Sequence, residues 1–359
     1  MLQRLNGTTL LQLWKGDDRI EKVTLQQLLG MRSGINDYND RSYEKYTFSH
    51  PNGEVTPLDL LHEVNKTLMF EPGTGGAYSS INYELLGLVM VNHLVSKEGG
   101  WRDLDQISVL PEELRTSGAF NRTLFPIKGQ CQDYVTQGMI RQYKSEIRAS
   151  FTGLVVDIKD ITEFSCLNGW TCGNVAAAAR DTAAFYFELL SPGSRILSAS
   201  SQQQMQRFEP LTQGWFPGLP YGLGLMKTSV QVKVVNGTGK AASDPASPAY
   251  LVGHGGEDWG SGGSLVGYNP HHGFGFAVAM GSMTGMNCST TDAKGKADFT
   301  PNALAQSHSS CVLYNTTLAE LGRQRREQAP VLNCSEHLPN LHRLEPFGLK
   351  PHCRKHGSD

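Results

Sequence analysis

No stretch of the 359-residue sequence comes near the ~20 consecutive apolar residues that cross a bilayer. Nor is there an excess of charge of either sign. Lys plus Arg number 32 and Asp plus Glu 34, for a formal net charge of −2. Without a basic stripe or run, nucleic acid and anionic membrane surfaces are excluded as natural partners. Internal repeats and low-complexity tracts are absent. The 39 glycines and 17 prolines are dispersed, which points to many tight turns rather than a disordered segment. The opening, "MLQRLNGTTLLQLWKGDDRI", has no sustained apolar stretch and no small-residue cleavage site.

What is present points to the secretory route. Seven Asn-x-Ser/Thr sequons occur, at Asn6, Asn65, Asn121, Asn236, Asn287, Asn315 and Asn333. Chance gives about two or three in such a composition. N-linked glycans and a secreted or lumenal location are therefore expected. The seven cysteines fit an oxidising compartment, although their number is odd. Cys166 and Cys172 bracket "CLNGWTC", a loop that one disulfide could close, and Cys334 with Cys353 could tie down the tail. Such a protein should carry a leader, so coding sequence upstream of Met1 is expected.

Hydrophobic residues make up 39% of the chain, enough for one large core or a core with an inserted lobe. Apolar spacing predicts a helix over 20–31 with Thr24 as N-cap, another over 58–70 and a third from Ser80 onward. "RSGINDYNDRSYEKYTFSHPNGEV" reads as a polar loop, with Gly34 in a left-handed turn. Residues 95–170 read as an irregular lobe. A strong helix over 173–190 would turn Arg180 and Asp181 to water and Ala183, Phe185, Phe187 and Leu190 inward. "PYGLGLMKTSVQVKVV" reads as a strand or hairpin. "YLVGHGGEDWGSGGSLVGYNPHHGFGFAVAM" reads as three short strands with a hairpin connection at "NPHHG". A closing helix is expected over 302–322, followed by a polar Cys/His-containing tail over 323–359. Helices, then antiparallel strands, then a helix make an α+β fold in which helices cover an antiparallel sheet.

Taken in order, "VTLQQLLGMRSGI", "FEPGTGGAYSSINYELLG", "CGNVAAAARDTAAFYFELL", "YGLGL" and "GHGGEDWGSGGSLVGYNPHHGFGFAVAM" resemble the serine β-lactamase-like superfamily, on its class C β-lactamase, D-alanyl-D-alanine carboxypeptidase and esterase side. The resemblance spans residues 20–285 within an expected domain of 1–322. It implies an antiparallel sheet between helices plus a helical lobe, and hydrolysis through a serine acyl-enzyme without cofactor or metal. Its motifs are Ser-x-x-Lys with the nucleophile, Tyr-x-Asn with a proton-relaying tyrosine, and Lys-Thr-Gly or His-x-Gly on the strand beside the substrate. The second maps onto Tyr78-Ser79-Ser80 and the third onto His254-Gly255-Gly256. A phenol titrates near ~10, so a relay by Tyr78 needs a cation close by. His254 could be that cation or could hold a substrate carboxylate. The resemblance makes the backbone N–H of Glu257 an oxyanion donor. Ser80, Gly255, Gly256 and Glu257 are thus the substrate-binding candidates, with a small molecule or peptide as substrate.

The departures are specific. Ser80 replaces the usual asparagine and Gly255 the usual threonine. Ser-x-x-Lys, with the first strands and the central helix, is expected ahead of Met1. Ser42-Tyr43-Glu44-Lys45 matches the spacing but sits in a polar loop. Lys227-Thr228-Ser229 resembles Lys-Thr-Gly but follows "YGLGL" on the preceding strand. Taken alone, Tyr78 to Ser80 could equally end a turn and cap the next helix. Three functions follow: a secreted serine hydrolase inactive as these 359 residues, a pseudoenzyme that binds without turnover, or a metal-binding module using the Cys/His tail, whose spacings match no standard ligand pattern.

Overall fold

The computed structural model describes residues 7–39, 41–150, 153–167, 169–214, 217–229, 234–235, 241–242, 250–258, 261–280, 290–291, 297–299, 313–314, 316–321 and 323–324. The tail with Cys334 and Cys353 lies outside them, as do all the sequons except Asn65 and Asn121.

Local chemistry sets the first helices. In α1 (Leu25–Leu29), the Thr24 hydroxyl accepts the Gln27 N–H at 3.2 Å and the Gln27 side chain accepts the Thr24 N–H at 2.9 Å. The helix ends on Met31, whose φ of 58° is left-handed, and Gly34 follows at 81°. α2 (Arg41–Ser49) occupies what reads as a polar loop. Its sequence lacks a helical stripe, and contacts from elsewhere hold it. Phe48 meets Phe164 edge-on at 5.0 Å, Tyr43 meets Tyr38 at 4.9 Å, and Glu44 pairs with Lys144. α3 (Pro57–Glu63) opens on a Thr56–Asp59 capping box. It stops at Glu63 rather than Phe70. The Asn65 side chain takes the Thr67 N–H at 3.0 Å, and Asn36 holds the Thr67 carbonyl at 2.6 Å. These bonds offer the backbone an alternative to another helical turn. α4 (Ile81–Leu94) buries Ile81, Leu85, Leu88 and Val91 in the helical lobe.

Residues 95–170 contain a hairpin, β1 (Tyr143–Ser150) with β2 (Gly153–Asp160), paired from Tyr143↔Asp160 to Ser150↔Gly153. The disulfide joins Cys131 to Cys166, not Cys166 to Cys172. Cys131 N–H bonds to the Phe164 carbonyl and Cys166 N–H to the Gly129 carbonyl, setting two segments antiparallel with their cysteines adjacent. Cys172, on α5 (Trp170–Gly173), is a free thiol 3.7 Å from the Tyr38 hydroxyl.

α6 (Ala179–Leu190) packs on the sheet through Tyr186, Leu189 and Leu190. Here two expectations invert. Asp181 is buried because its carboxylate accepts the Arg122 N–H at 2.8 Å and the Thr123 hydroxyl at 3.0 Å. Phe187 is exposed. After α7 (Ala199–Met205) the main antiparallel sheet runs β3 (Glu209–Pro210), β4 (Pro220–Tyr221), β5 (Met226–Ser229), β6 (Tyr250–Gly253), β8 (Ser261–Asn269) and β9 (Phe274–Met280), with β7 (Gly256–Asp258) also on β8. The β8–β9 connection closes with Gly273 N–H on the Asn269 carbonyl at 2.8 Å, where the sequence placed a hairpin.

β6 and β7 are two halves of one strand. Val252 faces Tyr268, yet Gly256 faces Gly263, one residue short of continuous register. The extra residue lies on β8, whose register with β9 also shifts between Gly263 and Leu265, so the bulge is in the strand opposite His254 and Gly255.

Candidate active site

The segment ahead of α4 is fastened on two sides. Ala77 N–H bonds to the Met31 carbonyl at 3.0 Å and Thr212 N–H to the Gly76 carbonyl at 2.8 Å. Ser79 is fully buried, with its hydroxyl on the Asn36 carbonyl at 3.0 Å and its N–H on the Met31 sulfur at 3.4 Å. Ser80 N–H donates to the Asp37 carboxylate at 3.0 Å. Ser80 stands at the N-cap position of α4, but its side chain makes no capping bond. Its hydroxyl instead reaches the Tyr78 phenol and Asp37. Capping alone therefore does not account for Tyr78 to Ser80.

Tyr78 and His254, 176 residues apart in the chain, meet in space. Their ring centroids are 6.0 Å apart, and Tyr221 sits edge-on to both, at 6.1 Å from Tyr78 and 5.7 Å from His254. The Tyr221 hydroxyl is 3.1 Å from His254 Nε2, and His254 Nδ1 is 2.7 Å from the Gly255 carbonyl. The His254 backbone N–H donates to the Tyr186 hydroxyl at 3.0 Å. Gly256 and Glu257 pair with Gly263 and Gly262 on β8. Tyr78, Ser80, His254 and Gly255 are each partly exposed.

Burial governs the electrostatics. It pushes the Tyr78 phenol well above its ordinary range, and the Cys172 thiol and Asp37 carboxyl push the same way. No Lys or Arg is among the groups acting on that phenol. Burial also lowers the His254 imidazole, against a smaller opposing pull from the Gly255 carbonyl. That direction disfavours the charged imidazole beside Tyr78. Glu84, on α4, is fully buried with the Cys172 thiol as its neighbour, and burial outweighs that contact and raises its carboxyl to about 8.

The two sequence decoys stand apart. Ser42 and Lys45 are both exposed on α2. Lys227 is exposed on β5, with Nζ 4.1 Å above the Tyr250 ring. Among the described residues, no cluster of three or more His, Cys, Asp or Glu could hold a metal ion, and no helix is long and apolar enough to cross a membrane.

A family model described as Beta-lactamase matches residues 8–299. The chain belongs to the beta-lactamase family. No curated protein matches closely enough to count as a relative. Among solved structures, a D-stereospecific amidohydrolase from Streptomyces sp. superposes with TM-score 0.52 at 21% identity, over 75% of this chain and 72% of that one. The D-amino acid amidase from Ochrobactrum anthropi SV3, complexed with D-phenylalanine, gives 0.52 at 19% identity, over 76% and 69%. The same amidase complexed with L-phenylalanine gives 0.52 at 17%, over 76% and 68%. At these identities the likeness establishes the fold, with its antiparallel sheet and flanking helices. Within this beta-lactamase fold, sequence reasoning gave no role to Met31, Asp37, Glu84, Tyr186 or Tyr221. Tyr221 lay in the quoted "YGLGL" segment, and Asp37 in "INDY". Neither carries a local signal of the partner it meets.

Proposed function

We propose that this beta-lactamase-family chain supplies one wall of a serine-hydrolase site, which cleaves an ester, amide or β-lactam through an acyl-enzyme. The convergence of Tyr78 and His254 across the cleft carries this reading. Tyr78 is the proton relay, Ser80 and the Gly255–Glu257 strand flank the substrate, and the Glu257 N–H is an oxyanion donor. The D-amino acid amidases of similar fold fit an amide-cleaving member. By themselves these 359 residues form no acyl-enzyme, since among the described residues no serine–lysine pair stands beside Tyr78 and no Lys or Arg acts on the phenol to lower it. The protein is secreted and glycosylated, a reading supported by the seven sequons, by exposed Asn65 and Asn121 and by the Cys131–Cys166 disulfide.

A second reading, a binding glycoprotein without turnover, is favoured by Ser80 and Gly255 standing where the family resemblance implies asparagine and threonine. Ester hydrolysis by the native protein separates the two. Under the hydrolase reading Tyr78→Phe lowers kcat by about 100-fold or more while Ser42→Ala leaves it unchanged. Saturable binding of the ester with no turnover would instead establish the second reading.

A further inference from the structure

His254 has both ring nitrogens engaged. A carbonyl can only accept, so Nδ1, 2.7 Å from the Gly255 oxygen, carries a proton. Nε2 lies 3.1 Å from the Tyr221 hydroxyl. The groups facing the ring are Tyr78, Tyr221, the Tyr186 hydroxyl at the His254 backbone and the Gly255 carbonyl, and none is charged. With a neutral ring, Nε2 accepts from Tyr221. Tyr83, the next phenol along, gives its proton to the Leu29 carbonyl at 3.0 Å.

A ring held this way offers a substrate neither a positive charge nor a free N–H. Gly255 brings no hydroxyl to replace them. Of the ionisable groups that bear on neighbouring Tyr78, burial raises both the Asp37 carboxyl and the Cys172 thiol, and neither can supply a positive charge to hold an anion. We propose that Tyr221 is a positioning residue that fixes His254 as a neutral, Nδ1-protonated ring with Nε2 occupied, so that the site selects substrates bearing no carboxylate on the leaving-group side of the scissile bond. Uncharged esters and amides are its substrates, and penicillins and peptide C-termini are not. This rests on the placement of Tyr78 and His254 in the substrate site.

The test uses a matched pair, N-acetylphenylalaninamide and N-acetylphenylalanine, which differ in the carboxylate. Binding to the full chain is followed by the tyrosine and histidine side-chain NMR signals. The amide should bind at least about tenfold more tightly than the acid. The His254 Cε1–H should titrate below the ordinary 6.5 in the wild-type chain. In Tyr221→Phe, which keeps the ring and loses the hydroxyl, that midpoint should rise and the acid should gain affinity. An acid that binds the wild-type chain as well as the amide, or a His254 midpoint at or above 6.5, overturns the inference while leaving the site reading intact. If neither probe moves Tyr78 or His254, the site reading itself falls.

Discussion

Glu84 allows a quantitative test of the buried chemistry under the cleft. Its carboxyl is fully buried, the opposing contact with the Cys172 thiol is outweighed by that burial, and its pKa is raised from 4.5 to about 8. A raised folded-state pKa means that the native state holds the proton more tightly than the unfolded chain. The stability this contributes is complete below pH 4.5 and is lost as pH climbs to about 8. The displacement is between three and four pH units at about 1.4 kcal/mol each, so the full loss approaches about 5 kcal/mol. Glu84→Gln keeps the shape and takes up no proton. The difference in unfolding free energy, variant minus wild type, should therefore grow by about 1.4 kcal/mol per unit between roughly pH 5.5 and 7.5. Other titrating groups, His254 included, are common to both proteins and cancel in that difference. Urea unfolding of both at three pH values in this window measures the slope. The amide adds its own cost from unmade hydrogen bonds, but that offset does not vary with pH. Parallel profiles would refute the reasoning, because they would mean that Glu84 is solvated or partnered in the native state.

Two glycine-to-alanine changes test the packing that positions the site. At Gly87 an added Cβ would lie 2.1 Å from the Thr171 hydroxyl, and at Gly253 it would lie 2.3 Å from the Val266 carbonyl. Each should destabilise by about 1–3 kcal/mol or more, read as a lowered Tm. Gly253→Ala should also shift the His254 ring signals, since it forces β6 off β8 at the residue before His254, whereas an unchanged Tm in either variant would contradict the close approach.

How far the sequence disclosed this molecule depends on the range of the interactions involved. The Thr24 cap, the start of α4, the left-handed Gly34 and the Asn269–Gly273 connection were all legible, because each is set by residues within a few positions. The pairing of Tyr78 with His254 was reached only through family resemblance, and the structure brings the two together. Long-range partners were not legible. α2 is held by Phe164 and Lys144, more than ninety residues away. Asp181 looks like a surface residue until Arg122 presents its N–H. The Cys131–Cys166 bridge follows from backbone pairing that no cysteine spacing reveals. Tyr221 acquires its role only because the order of strands in the sheet brings its hydroxyl to His254, 33 residues further along the chain.

The most direct measurement is where a fluorophosphonate or a labelled penicillin lands on these 359 residues, followed by intact mass and peptide mapping. Tyr78 and His254 line the proposed acyl-transfer site, and among the described residues no serine–lysine pair stands beside them. The predicted result is an unchanged mass after prolonged incubation. Time-dependent acylation at Ser42, or at any other serine of the chain, would contradict it and move the nucleophile to a part of the fold that this account leaves without chemistry.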